Sequence, residues 1–553
     1  MPALGGLVAK QAQSKHKSAP TSLPPYVANQ GQQFSFLMSE DFLERINIAW
    51  RVETAQADPA NPLVEPKYEW DGACVFLHGA VVVDPADKLW KAWYLSKPLG
   101  KGPTENPAAG RILTYAESED GVHWTRPELD IALRDGKKTN ILLDLDSGGL
   151  CQHPSIILHP EAPPDYRYEM FLLRYPEDKG PSSVVRGFPL PDGETKSGAG
   201  VYRYHSSDGK RWQPWEKLGL STRDSILVHQ VPDGTYRTFY KGVMPVPPGG
   251  LVPYDVAVGE CRYIVVRTSE DGTNWSGYEP VITPDWMDAQ DTQFMELDTI
   301  PEKGGYIGTL AVYHLLTQTI DIQFAASRDG KRWWRPDRRP CVPLDRLGNY
   351  GGGMIWPLQS PFHHDGRLYF YYAGCDGLHA DYMATDMVQS FRRTFRWPNY
   401  PTGLRSGTEM DAYSPNAGMT WFHSAGCRAS WKLGRLWAAV TASGGPLEGM
   451  LGTKPLSVRG KQLLVNAQTV RDGSLQVELL QGKSLPGREG PIADDVVVDE
   501  KPIPGFSRAD CTPFKGDSES SVIKWKGGDR VPAEQVRARF YLSQTRLYSF
   551  DWE

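Results

Sequence analysis

The stretch SRDGKRW at residues 327–333 is the fourth appearance of one pattern, after SEDGVHW at 118–124, SSDGKRW at 206–212 and SEDGTNW at 269–275. Three runs rich in Val, Ile, Tyr and Phe precede each copy. Before the first they read GAVVVD, LWKAWYLS and RILTYAES; before the fourth, TQFMEL, YIGTLAVYH and DIQFAAS. Pro, Gly and Asp turn signals separate the runs, so each copy ends a short antiparallel meander. A fifth set, MIWPLQSPF, RLYFYYAG and GMTWFHSAG, ends in Trp431 without the Asp-Gly turn.

Five similar four-strand units predict an all-β chain, a five-bladed β-propeller in which radial repetition hides the sheet edges. The motif then has a mechanical role. Its Asp accepts hydrogen bonds from turn amides, its Gly takes a positive φ and its Trp fills the widening gap between blades. Asp120, Asp208, Asp271 and Asp329 are therefore scaffold. After Trp431, apolar and polar residues alternate between Gly-containing turns, which predicts an antiparallel β-sandwich. The expected division is a flexible tail at 1–30, the propeller at 31–440 and the sandwich at 441–553.

Composition narrows the function classes. The 553 residues are 40% hydrophobic and 23% charged, as in ordinary globular proteins, but 18 Trp and 25 Tyr are an excess. A net charge of −6 without a basic run argues against nucleic acid or an anionic membrane as partner. No apolar run reaches transmembrane length, and the order of apolar and basic residues at the start is not that of a secretory signal. The expected location is the cytoplasm, or outside it with an export signal removed. Seven dispersed cysteines form no CxxC pair and signal neither zinc nor disulfides; no metal and no cofactor are expected.

The meanders DKLWKAWYLS…TYAESEDGVHW and GRLYFYYAGCDGLH, with the turn motif and the C-terminal sandwich, resemble the five-bladed glycoside hydrolases of the family 32/43/68 superfamily, closest to uncharacterised bacterial family-32-like proteins. The resemblance spans roughly residues 31 to 553 and implies glycosidic cleavage by carboxylates on the innermost strands of blades one to three. The family's residues are not all present. Gln152, His153 and Pro154 stand where an Arg-Asp-Pro is expected, the first inner strand has His78 but no carboxylate, and the third blade offers Arg223 and Asp224 in place of a Glu.

Inner strands of a propeller converge on a central funnel, so polar residues at their starts can meet around a ligand. Cleaving a glycosidic bond requires one carboxyl group to protonate the leaving oxygen and another to attack the sugar or activate water. Asp71, Asp224 and Asp291, each followed by an apolar strand, are the candidate catalysts, with a turn cap or a partner for a basic residue as the structural alternative. Glu296, five residues beyond Asp291, is assigned by strand alternation to the opposite face. Trp70 and Trp356 are candidate stacking platforms for a sugar, and His78, Gln152, His153, Arg223, Gln293 and Gln359 candidate hydrogen-bonding groups. The expected activity is a glycosidase acting on an oligosaccharide or polysaccharide. A non-catalytic carbohydrate-binding propeller and a glycoside phosphorylase are the alternatives.

Overall fold

The computed structural model describes residues 20, 23–25, 34–72, 74–97, 111–145, 150–175, 185–187, 200–220, 225–245, 260–359, 361–379, 423–443, 447–484 and 497–553. Within them the chain is nearly all β, with short 3-10 turns between strands. Among the described residues no helix is long and apolar enough to cross a membrane.

Five antiparallel meanders follow one another. Their first strands are β1 (Cys74–Val83), β2 (Leu150–Leu158), β3 (Leu227–Gln230), β4 (Thr292–Glu302) and β5 (Met354–Pro357). The second and third meanders are separate four-stranded sheets. The fourth, fifth and first share one 14-stranded sheet, bridged from one meander to the next by isolated parallel pairs, Ile320 with Met354, Ser424 with Cys74 and Ala80 with Gln359.

Apolar layers fill the spaces between meanders. Trp93, Tyr115, Ile156, Met170 and Trp212 lie between the first and second. Phe171, Leu173, Val228 and Tyr236 lie between the second and third, and Phe239, Ile264, Phe294 and Leu310 between the third and fourth. A larger cluster with Ile320, Phe324, Met354, Phe370, Phe76 and Tyr94 joins the fourth and fifth back to the first. Each fully buried side chain of this size contributes roughly 1.5–3 kcal/mol through lost water contact, so the layers carry most of the stabilisation.

The repeated motif has two jobs. Within the turn, Asp120 Oδ1 accepts the amides of Val122 and His123 at 2.8 Å, and Ser118 Oγ accepts that of Gly121 at 2.9 Å. The same bonds recur around Asp208, Asp271 and Asp329. Between meanders, a carbonyl of each turn is held by a side chain of the preceding unit. Trp93 Nε1 donates to Gly209 O at 2.6 Å, Arg203 to Asp271 O at 3.0 Å and Arg237 to Asp329 O at 3.3 Å. Tyr371, from the fifth meander, donates to Gly121 O of the first at 2.7 Å. The glycines sit at φ +72 to +76°, and a Cβ on any of them would strike that incoming side chain. Trp124, Trp212, Trp275 and Trp333 lie in or against the apolar layers.

A second, nine-stranded sheet is built on the long strands Leu463–Ser484 and Gln535–Trp552, with Leu451, Val465, Val477, Phe540 and Leu547 in its core. Two strands that sequence reading assigns to the blades belong to it. Phe42–Ile46 pairs with Gly449–Thr453, and Ile48–Val52 with Trp437–Thr441. A cut at residue 440 therefore divides paired strands, because the sheet draws on both ends of the chain. Nor are all of residues 1–30 a free tail: Leu23 is buried, and its carbonyl accepts the Gln230 amide at 2.8 Å.

Candidate functional site

Three of the first strands break their two-residue alternation. In β1 the register with its neighbour slips between Leu77 and Gly79, in β2 between Gln152 and Ser155, and in β4 between Phe294 and Glu296. Each slip is a β-bulge, which adds a residue to one strand and re-aims the side chains that follow. His78 and His153 lie on the first two bulges with φ of +56° and +46°. Non-glycine residues pay about 1 kcal/mol or more for this region, so the surrounding structure must enforce it. Gly79 lets β1 rejoin its partner, since a Cβ there would lie 2.1 Å from the Trp93 carbonyl oxygen.

The bulge in β4 explains the placing of Glu296. Phe294 and Leu297, three residues apart, share one apolar layer, which an unbroken alternation forbids. Glu296 is thereby turned to meet the two histidines. Its Oε1 lies 3.5 Å from His78 Nδ1 and 3.3 Å from His153 Nε2, and the two imidazole centroids are 3.8 Å apart. All three side chains are buried, none more than 4% exposed. Burial, reinforced by the nearby His153, Arg111 and Lys241, drives the His78 pKa well below the usual histidine value, so this imidazole is neutral at pH 7. Among the described residues these are the three His, Cys, Asp or Glu side chains able to converge on one ion, with ligand atoms all within 4.8 Å of one another. Spacing along a single element could not reveal this grouping, because its three members come from three strands.

The wall of this cluster contains Trp356, whose ring meets His78 edge-on at 5.1 Å and lies 6.2 Å from His379. Arg111 donates to Gln152 Oε1, and Arg262 to Gln293 Oε1 at 2.6 Å, which fixes both amides. Lys97 is fully buried, and burial brings its pKa down to about 8, opposed by Cys74 and aided by Arg111. Farther along β4, Asp298 lies 2.9 Å from His229 and Glu302 2.5 Å from His363. One strand thus offers three carboxylates in series to histidines of the first, second, third and fifth meanders.

The other sequence candidates divide as follows. Asp71 Oδ2 accepts the amides of Lys67 and Tyr68, both at 2.9 Å, and pairs with Arg126 at 2.6 Å, the work of a turn cap and ion pair. Asp291 accepts the Leu316 amide at 3.1 Å and so holds the 314–318 turn. Neither belongs to the His78–His153–Glu296 group. Arg223 and Asp224 lie outside the described residues. Trp70 is stacked on Tyr68 at 4.6 Å and bonded to Asn140, and is not part of the His78–His153–Glu296 group. Gln359 uses both ends of its amide on backbone, accepting from Ile156 N and donating to Val228 O, and so straps β2 to β3.

No protein-family model matches the chain, and no curated protein matches it. Solved structures similar to it include a Bacteroides thetaiotaomicron protein described as a "putative glycosidase", at 14% identity over 68% of this chain and 97% of that one, with a TM-score of 0.38. A thermostable family-43 glycoside hydrolase is similar at 13% identity over 55% and 85%, TM-score 0.35. A third belongs to the GH130 family of mannoside phosphorylases, which contains glycoside hydrolases that target β-1,2-mannosidic linkages; it is 16% identical over 59% and 92%, TM-score 0.38. Likeness at these scores carries no argument, and the chemistry is read from the side chains themselves.

Proposed function

We propose that the chain is a five-bladed β-propeller with a C-terminal β-sandwich, and that it hydrolyses a glycosidic bond in an oligosaccharide or polysaccharide at the axis of the propeller. The five meanders in series, with apolar layers between them and the Tyr371–Gly121 bond from last to first, support the closed ring. The blades fall within residues 31–440 and the sandwich within 441–553, with strands 42–46 and 48–52 lent to the latter.

One observation carries the functional reading: a buried carboxylate, two imidazoles and a tryptophan converge from β1, β2, β4 and β5. Glu296 is the carboxyl group proposed to exchange a proton with the scissile oxygen or with water, His153 sets its orientation, and Trp356 offers an aromatic wall to the sugar. A panel of aryl glycosides and oligosaccharides, assayed by reducing-sugar release, tests the activity. Glu296→Gln is expected to cut turnover at least about a hundredfold with the protein still folded, the scale of a lost general acid or base. The same amide replacement at Asp224 and Asp291 tests for the second carboxyl group that glycosidic cleavage needs, with Asp71, a turn cap, as the variant expected to keep its turnover. Saccharide binding without release of product from any substrate favours the non-catalytic reading.

A second reading draws on the cations near the cluster. Lys97, Arg111 and Lys241 would suit inorganic phosphate as the acceptor in place of water. Formation of a sugar 1-phosphate only when phosphate is present separates a phosphorylase from a hydrolase.

A further inference from the structure

We propose that His78, His153 and Glu296 bind one divalent transition-metal ion of the zinc class. The argument begins with distance. Charge-assisted hydrogen bonds between an imidazole and a carboxylate close to about 2.7–2.9 Å. Two other imidazole–carboxylate pairs on the same strand approach at least that closely, His229 with Asp298 at 2.9 Å and His363 with Glu302 at 2.5 Å. At Glu296 the corresponding gaps are 3.3 and 3.5 Å, with all three side chains buried. Ligand atoms on a common ion with bonds of about 2.1 Å stand about 3.4 Å apart when tetrahedral and about 3.0 Å when octahedral. Both gaps to Glu296 are close to the spacing of donors around one ion, and all three ligand atoms lie within 4.8 Å of one another.

Two further observations agree. His78 Nδ1 is buried and makes no hydrogen bond, a costly condition for a polar atom that a metal bond would relieve. Both histidines hold left-handed backbone angles on bulges, an arrangement that serves to aim their rings at one point.

The donor set selects the ion. Two imidazole nitrogens and one carboxylate oxygen suit zinc, iron, cobalt or manganese, whereas calcium and magnesium prefer oxygen alone. Three protein ligands leave at least one coordination position for an exogenous group, the arrangement of a catalytic rather than a structural centre. The assignment does not depend on the saccharide reading, since an ion held by Glu296 Oε1 would take that carboxylate out of proton exchange, and its test does not use activity.

The full chain, stripped with a chelator, is loaded with Zn²⁺ or Co²⁺ and desalted, and its metal content is measured. About one ion per chain is expected, with visible d–d absorption from the cobalt form. His78→Gln, His153→Gln and Glu296→Gln should each weaken Co²⁺ binding by roughly a hundredfold or more, at or above the upper end of what losing a supporting partner costs. His314→Gln, which removes a histidine outside the cluster, should bind as the parent does. A parent protein that holds no ion after desalting overturns the proposal, whether or not the variants fold. So does a folded His78→Gln or His153→Gln protein with unchanged cobalt affinity and spectrum.

Discussion

Asp71 accepts two amide hydrogen bonds, a guanidinium and, at 3.3 Å, the Ser96 hydroxyl, all with its side chain wholly buried. Asp71→Ala leaves the Arg126 charge without its partner, and breaking such a pair costs about 3–5 kcal/mol. Urea denaturation should show that loss. Any fraction that folds should keep the parent's kcat, because the carboxylate is occupied in a turn and lies outside the His78–His153–Glu296 cluster. Glu296 is the opposite case. Counting in twos from Asp291 sends it to the far face, and the count fails at Met295, where β4 takes an extra residue. No residue type marks that bulge: PheMetGlu reads like any buried strand. His78 and His153 were legible as polar residues on inner strands, but their convergence on a third strand was not, because nothing in local spacing ties residues 78, 153 and 296 together.

At the scale of elements, the turn motif was the most legible feature of the chain. Ser, Asp, Gly and Trp each have a defined task, and four repetitions fix where the meanders end. What the repeat could not disclose is that each turn also receives a side chain from the unit before it. Gly209 tests this, since its φ of +72° and the approach of Trp93 both exclude a Cβ. Gly209→Ala should destabilise by about 1–3 kcal/mol, and more than an alanine at Gly136, where φ is also positive but nothing lies within 4 Å. Trp93→Phe keeps most of the packing and deletes the bond to Gly209 O, at an expected cost of about 1–3 kcal/mol measured by the same unfolding curves. The strands at 42–46 and 48–52 escaped sequence reading for another reason. Their partners at 449–453 and 437–441 lie some 400 residues away, and alternation says that a strand exists without saying what it pairs with.

For the whole molecule, the contact between the first two meanders contains a charged network as well as an apolar layer. Asp84 is buried beside Lys91, Arg167 and Tyr168. Burial pushes its pKa up, but hydrogen bonds from Arg167 and Tyr168, with the Ala86 amide and Lys91, outweigh that and hold it at about 2. A carboxylate whose folded pKa lies below its unfolded value stabilises the fold above about pH 4, and that contribution disappears as pH falls from about 4 to 2. Asp84→Asn should therefore cost about 1–2 kcal/mol at neutral pH, with the gap from the parent narrowing as denaturation is repeated at lower pH. The bond from Tyr371 to Gly121 spans 250 residues. During synthesis the chain grows at about 5–20 residues per second. Once the first turn has left the ribosome, its acceptor thus waits roughly 10 to 50 s for the tyrosine that fills it. Throughout that interval the apolar side of the first meander, with Phe76 and Tyr94, faces the cell instead of its last neighbour, and it is there that a chaperone holding the nascent protein has something to grip.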